Sequence, residues 1–152
     1  MPRLNHVKRA RKARPEYGIE IGDSYYWWQF AFRPPQYSKE RPSRSQLTQS
    51  SYLAALYDLQ DGFDESVSGM PFSEARDYVR DELDSIMNDC QESLDNMPDH
   101  LQESSPAAIL LSERIEALEN AIDSLDSLDD PADDENDEID YEPIAEILNE
   151  LE

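Results

Sequence analysis

Residues 18–39 read GIEIGDSYYWWQFAFRPPQYSK, and this stretch decides the fold class. Ile19 and Ile21 precede a Gly22-Asp23 turn signal, six aromatics crowd positions 25–32, and Pro34-Pro35 separates them from a second extended piece, QYSK. Aromatic residues between glycine and proline breaks predict two or three short antiparallel strands rather than a helix. Side chains alternate across a strand, so Tyr26, Trp28, Phe30 and Phe32 are expected to line a core face. Tyr25 and Trp27 would then stand on the opposite face, near Arg33.

A sheet this small needs a cover. The next segment, SQLTQSSYLAALYDLQ (45–60), provides one, with Ser45 or Thr48 as N-cap and Tyr52, Leu56 and Leu59 on one helical stripe. Residues 18–61 thus read as a sheet-plus-helix unit. Residues 1–17, with six bases and only Leu4 and Val7 as sizeable apolar residues before Arg14, read as a flexible basic arm. Residues 62–72 form a linker whose Phe63, Val67, Met70 and Phe72 imply packing.

Beyond residue 72 the period changes. Val79, Leu83, Ile86, Cys90, Leu94 and Met97 step by four or three up to Pro98, and Ala108, Leu111, Ile115, Leu118, Ile122 and Leu125 do the same after the cap Ser105-Pro106. Two long helices joined by a short loop predict an antiparallel hairpin over 73–128. Residues 129–142 carry nine acids and read as an acidic linker, and 143–152 as a short amphipathic helix that docks on its own chain or on a partner. The architecture expected is therefore α+β: a small N-terminal antiparallel sheet with a covering helix, an acidic helical hairpin and a C-terminal helix.

Charge divides along the same line. Of 13 Lys/Arg and 35 Asp/Glu, residues 1–50 hold ten and four, a net +6, and residues 51–152 hold three and 31, a net −28. The single cysteine excludes an internal disulfide, and no apolar run approaches the ~20 residues of a membrane span. A cytoplasmic protein is expected. His6, His100 and Cys90 lie in unrelated contexts, so no catalytic triad, zinc site or EF-hand can be assembled, and neither catalysis nor a cofactor is expected.

Two charged surfaces remain. Asp77, Asp81 and Asp84 share a flank of the first long helix, and Glu116, Glu119, Asp123 and Asp126 border the seam of the second. Thirteen acids over ~37 Å of helix, one per ~2.8 Å, approach the one phosphate per ~1.7 Å of duplex DNA. Ordinary solvated helices offset such acids with i,i+4 bases, and only Arg76, Arg80 and Arg114 are present after residue 50. The second surface is basic and aromatic: Lys8, Arg9, Arg11, Lys12, Arg14, Arg33 and Lys39 around Tyr25 and Trp27, a composition suited to base stacking beside phosphates. The same cations could instead balance the chain's own acidic half.

Residues 25–59, with WWQFAFR, YSK and a following helix, resemble the arm-binding N-terminal domains of phage tyrosine integrases, although Pro34-Pro35 replaces the usual glycine-rich turn and no recombinase residues follow. The stretch is also similar to small phage and prophage accessory proteins sharing a YYWW, YSK and SQLT core. That resemblance implies a viral accessory role and no mechanism. Together these readings lead to a non-enzymatic, phage-type inhibitor of anti-CRISPR or anti-restriction character. Its acidic helices would mimic nucleic acid and block the basic site of a host nuclease or defence effector. The alternative is a DNA- or RNA-binding adaptor acting through the N-terminal unit, with a scaffolding protein third. A second copy of the chain would also cover exposed helix stripes, making a homodimer.

Overall fold

The structure, a computed structural model, describes residues 1–129 and 139–151. It is α+β, a small three-stranded antiparallel sheet followed by helices. The chain forms two compact units, Met1–Ala54 and Ala55–Glu152, whose boundary falls inside a helix.

In the first unit, β1 (Asn5–Val7), β2 (Tyr25–Trp28) and β3 (Gln36–Ser38) pair in sequence order. The basic segment expected as a flexible arm instead supplies an edge strand, with Asn5, His6 and Val7 opposite Trp27, Tyr26 and Tyr25. Pairing continues irregularly beyond β1. The Ala10 amide donates to the Asp23 carbonyl (2.7 Å), the Gly22 amide to the Ala10 carbonyl (2.8 Å), and Arg14 and Ile19 exchange both backbone bonds. A 3-10 turn, Pro15–Tyr17, closes this hairpin, and Gly18 leaves it at φ +68°, a conformation open to glycine without steric cost. Backbone pairing thus orders a segment too polar to be held by a core.

The aromatic run also departs from simple alternation. Only Trp28 of the four expected core residues is buried, joined by Ala10, Ile19 and Tyr52. The strand ends at Trp28, so the period is lost, and Phe32 lies in the β2–β3 connection, 106% exposed and at φ +60°. On one face stand His6, Tyr26 and Ser38, where the His6 and Tyr26 rings stack at 4.5 Å. On the other are Tyr25, Trp27 and Tyr37, the last two directly opposite each other.

Helix α1 (Ser51–Asp61) starts later than expected. Ser45–Leu47 forms a separate 3-10 turn, and the cap is Ser50, whose Oγ accepts from the Leu53 amide at 3.3 Å. The second unit continues with α2 (Phe63–Val67), α3 (Phe72–Asp95), α4 (Asp99–Gln102), α5 (Pro106–Asp126) and α6 (Glu142–Asn149). The expected linker is therefore partly helical, and Phe63, Val67 and Phe72 are buried.

Helices α3 and α5 pair antiparallel, because Arg76 and Arg80 at the start of α3 reach Leu128 and Asp126 at the end of α5. Val79, Leu83, Ile86 and Cys90 are buried against Ala108, Leu118, Ala121 and Leu125. Ile122, expected in the seam, is half-buried while its neighbour Ala121 is buried: a small side chain lets the helices approach, and the isoleucine moves to the rim. Ser105 caps α5 as expected, its Oγ accepting from the Ala108 amide at 3.1 Å.

Helix α6 docks on its own unit. Ile144, Leu148 and Leu151 are buried, and Gln60 of α1 donates from Nε2 to the carbonyls of Leu148 (3.0 Å) and Leu151 (2.9 Å). The Leu148 carbonyl also accepts from the Leu151 amide at 3.3 Å, so Gln60 adds to the backbone closure of the α6 C-terminus. Tyr141 sets edge-on against Phe63 and donates its hydroxyl to the Met70 carbonyl. Most of the acidic linker, residues 130–138, lies outside the described residues.

Candidate functional site

The acidic surface is built by the antiparallel pairing of α3 and α5. Burying one stripe of each helix leaves Asp77, Asp81 and Asp84 exposed on α3, and Glu116, Glu119, Asp123 and Asp126 exposed on α5. At 1.5 Å per residue Asp77, Asp81 and Asp84 extend over ~10 Å of the ~36 Å helix α3.

The structure assigns structural roles to two of the few bases nearby. Arg76 donates from Nη1 to the Leu128 carbonyl at 2.9 Å, closing the end of α5, and its Nε lies 3.8 Å from Asp77. Arg80 places Nε 3.0 Å from Asp126, with both side chains 47% exposed. Asp126 is thereby a tie between the helices, and Asp77 is partly offset. Asp81 and Asp84 flank Arg80 and Ile122 around a cleft of ≈120 Å³ between α3 and α5. The α3 row and Asp126 therefore meet along one rim.

The basic residues expected to act together are only partly assembled. Tyr25 and Trp27 share a shallow depression with Arg14, Gln29, Pro35 and Tyr37, and the Arg14 guanidinium carbon sits 3.9 Å above the Tyr37 ring. Lys8, Arg9, Arg11 and Lys12 are exposed on the hairpin limb leading to Arg14. Lys39 pairs with Asp23 at 3.4 Å. The Asp23 carboxylate also accepts from the Glu20 amide at 2.9 Å, and this backbone bond, with a smaller contribution from Lys39, holds it below the usual carboxylate range. Arg33 is exposed beyond the end of β2, with its backbone carbonyl accepting from Gln29. Tyr37 is the residue sequence reasoning missed. Its signal was the repeated tyrosine of QYSK, whose partner became evident only through the Trp27–Tyr37 register.

His6 shares a 2.8 Å hydrogen bond with the Ser24 hydroxyl, His100 is exposed on α4, and Cys90 is buried in the helix seam. Burial pushes the Cys90 thiol up, with Arg114 partly opposing it. Among the described residues no three His, Cys, Asp or Glu side chains gather as metal ligands would, and no helix is long and apolar enough to cross a membrane. No protein-family model, curated protein or solved structure matches the chain.

Proposed function

We propose that this is a non-enzymatic binding protein whose paired acidic helices occupy the nucleic-acid-binding surface of a basic protein. The observation that supports this reading most directly is the use made of the arginines on α3. Arg76 donates to the Leu128 carbonyl and Arg80 ties α3 to Asp126, so both arginines of α3 are used to hold the two helices together. Residues 55–152 carry three bases and 31 acids, a net −28. Like charges in rows cost helix stability and build a strong directional field. A basic groove shaped for a phosphate track is the complementary surface, and a phage-encoded blocker of a host nuclease or defence effector is the biological setting proposed.

The test is capture from host lysate on the full-length protein, followed by elution with duplex DNA or with salt. The expected partner is a nucleic-acid-binding protein released by DNA and by ionic strength high enough to screen the contact. A quadruple variant, Asp77→Asn, Asp81→Asn, Glu116→Gln and Glu119→Gln, should lose the capture. Retention of the partner by that variant, or a partner that DNA does not displace, would end the mimic reading.

A further inference from the structure

The first unit has opposite chemistry. Its depression of ≈350 Å³ is lined by Arg14, Tyr25, Trp27, Gln29, Pro35 and Tyr37, at the small end of the ~300–1,000 Å³ usual for ligand pockets. Three of these are aromatic rings on one sheet face. The Tyr25 and Tyr37 rings are 6.1 Å apart and inclined at 52°, and Tyr17 meets Tyr37 at 5.2 Å and 53°, so the tyrosines brace one another at an angle rather than stacking flat. Trp27, half-buried opposite Tyr37, lies between β1 and β3 in the middle of the sheet.

The cation in the lining selects the ligand. Arg14 is engaged by the Tyr37 ring, and its buried Nε has no hydrogen-bond partner among the described residues. A positive charge in the wall disfavours a cationic guest and favours an anionic one. The surroundings agree: residues 1–54 hold ten Lys/Arg against four Asp/Glu, a net +6, and Lys8, Arg9, Arg11 and Lys12 lie on the limb ending at Arg14. Flat aromatic surface beside cations suits a base with its phosphates. A base inside a duplex is already stacked on both faces.

We propose that this depression binds an unstacked base of single-stranded nucleic acid, with Trp27 as the stacking platform and Arg14 with its neighbouring bases holding the phosphates. The assignment is independent of the acidic surface.

The experiment follows tryptophan fluorescence and anisotropy of the full-length protein with a labelled oligothymidylate of about ten nucleotides at low salt, within the span of known single-strand sites. Saturable quenching is expected. Trp27→Ala should weaken binding about 5- to 150-fold, and Trp27→Phe should retain most of it. Arg14→Gln should flatten the log–log salt dependence by roughly 0.7, the loss of one single-strand phosphate contact. No oligonucleotide binding, equal affinity for a duplex of the same length, or indifference to Trp27→Ala overturns the proposal. So does a proline-rich peptide that competes for Trp27 more tightly than the oligonucleotide, since aromatic grooves also take such peptides. If Trp27→Ala does not fold, Trp27→Phe and Arg14→Gln carry the same test.

Discussion

Neutralising the acidic rows should make the protein more stable while removing the proposed binding surface. In the quadruple variant Asp77→Asn, Asp81→Asn, Glu116→Gln and Glu119→Gln, six like-charge pairs at i,i+3 or i,i+4 disappear: Glu74–Asp77, Asp77–Asp81, Asp81–Asp84, Glu113–Glu116, Glu116–Glu119 and Glu119–Asp123. At ~0.2–0.5 kcal/mol each, their removal contributes about 1–3 kcal/mol. Losing the long Arg76–Asp77 contact, exposed on the aspartate side, and the i,i+3 pairing of Asp77 with Arg80 offsets this by about 1 kcal/mol. The Arg80–Asp126 tie is untouched. A net gain of about 1 kcal/mol raises the melting temperature of a ~100-residue unit by roughly 4–8 °C. Circular dichroism at the helix band reads this transition, since α3 and α5 dominate the helical content. The gain should be largest at low salt and nearly vanish at ~1 M, where the screening length falls to about 3 Å. A variant that melts below the wild type at low salt, or a wild type insensitive to salt, would refute the argument that these carboxylates are held against their own repulsion.

Other outcomes follow from packing and titration. Leu148→Ala, at a fully buried α6 position, should destabilise the second unit by about 2–5 kcal/mol in urea unfolding, and Gln60→Ala, which removes two hydrogen bonds to the Leu148 and Leu151 carbonyls, by about 1–3 kcal/mol. Phe32→Gly should stabilise the first unit by up to about 1 kcal/mol: it relieves ~1–2 kcal/mol of left-handed strain, gives back part through glycine's unfolded-state entropy, and loses no buried area. Tryptophan fluorescence checks this, because Trp27 and Trp28 both lie in that unit. Buried Cys90 should resist a thiol reagent in the native state and react on unfolding. Its raised pKa means the folded state holds the proton more tightly, so its contribution to stability is intact below the ordinary thiol value of ~8.5 and declines as pH rises beyond it, measurable as a falling urea midpoint.

The long helices were legible because a period of 3.6 averages over many residues. Val79, Leu83, Ile86 and Cys90 could be named from spacing alone, and so could Ala108, Leu118 and Leu125. The exchange of Ile122 for Ala121 lies below that resolution, since two adjacent positions differ by only about 100° around the helix and closeness of approach decides between them. Strands of three or four residues offer no comparable average. The alternation from Tyr26 to Trp28 was real, yet nothing in FAFR announces that the strand has stopped before Phe32 turns outward. β1 was hidden for a different reason: its order comes from backbone bonds to β2 and along the Ala10–Gly22 limb, which leave no apolar signature. The acidic residues were placed correctly on exposed helix faces, whereas the roles of Arg76 and Arg80 depended on contacts 52 and 46 residues away in sequence (128 − 76 and 126 − 80). Likewise Tyr37 joined Trp27 only through strand register.

The docking of α6 has a consequence for how the second unit is made. Gln60 binds carbonyls 88 and 91 residues further along, and the buried Ile144 and Leu148 complete a core that α1, α2 and α3 begin. Pairings this distant in sequence raise contact order and slow folding. The α3–α5 pair is built from neighbouring helices, but its remaining apolar surface stays uncovered until residues 142–151 dock. A chain with α6 undocked exposes that flank, the kind of surface that makes folding intermediates prone to aggregate.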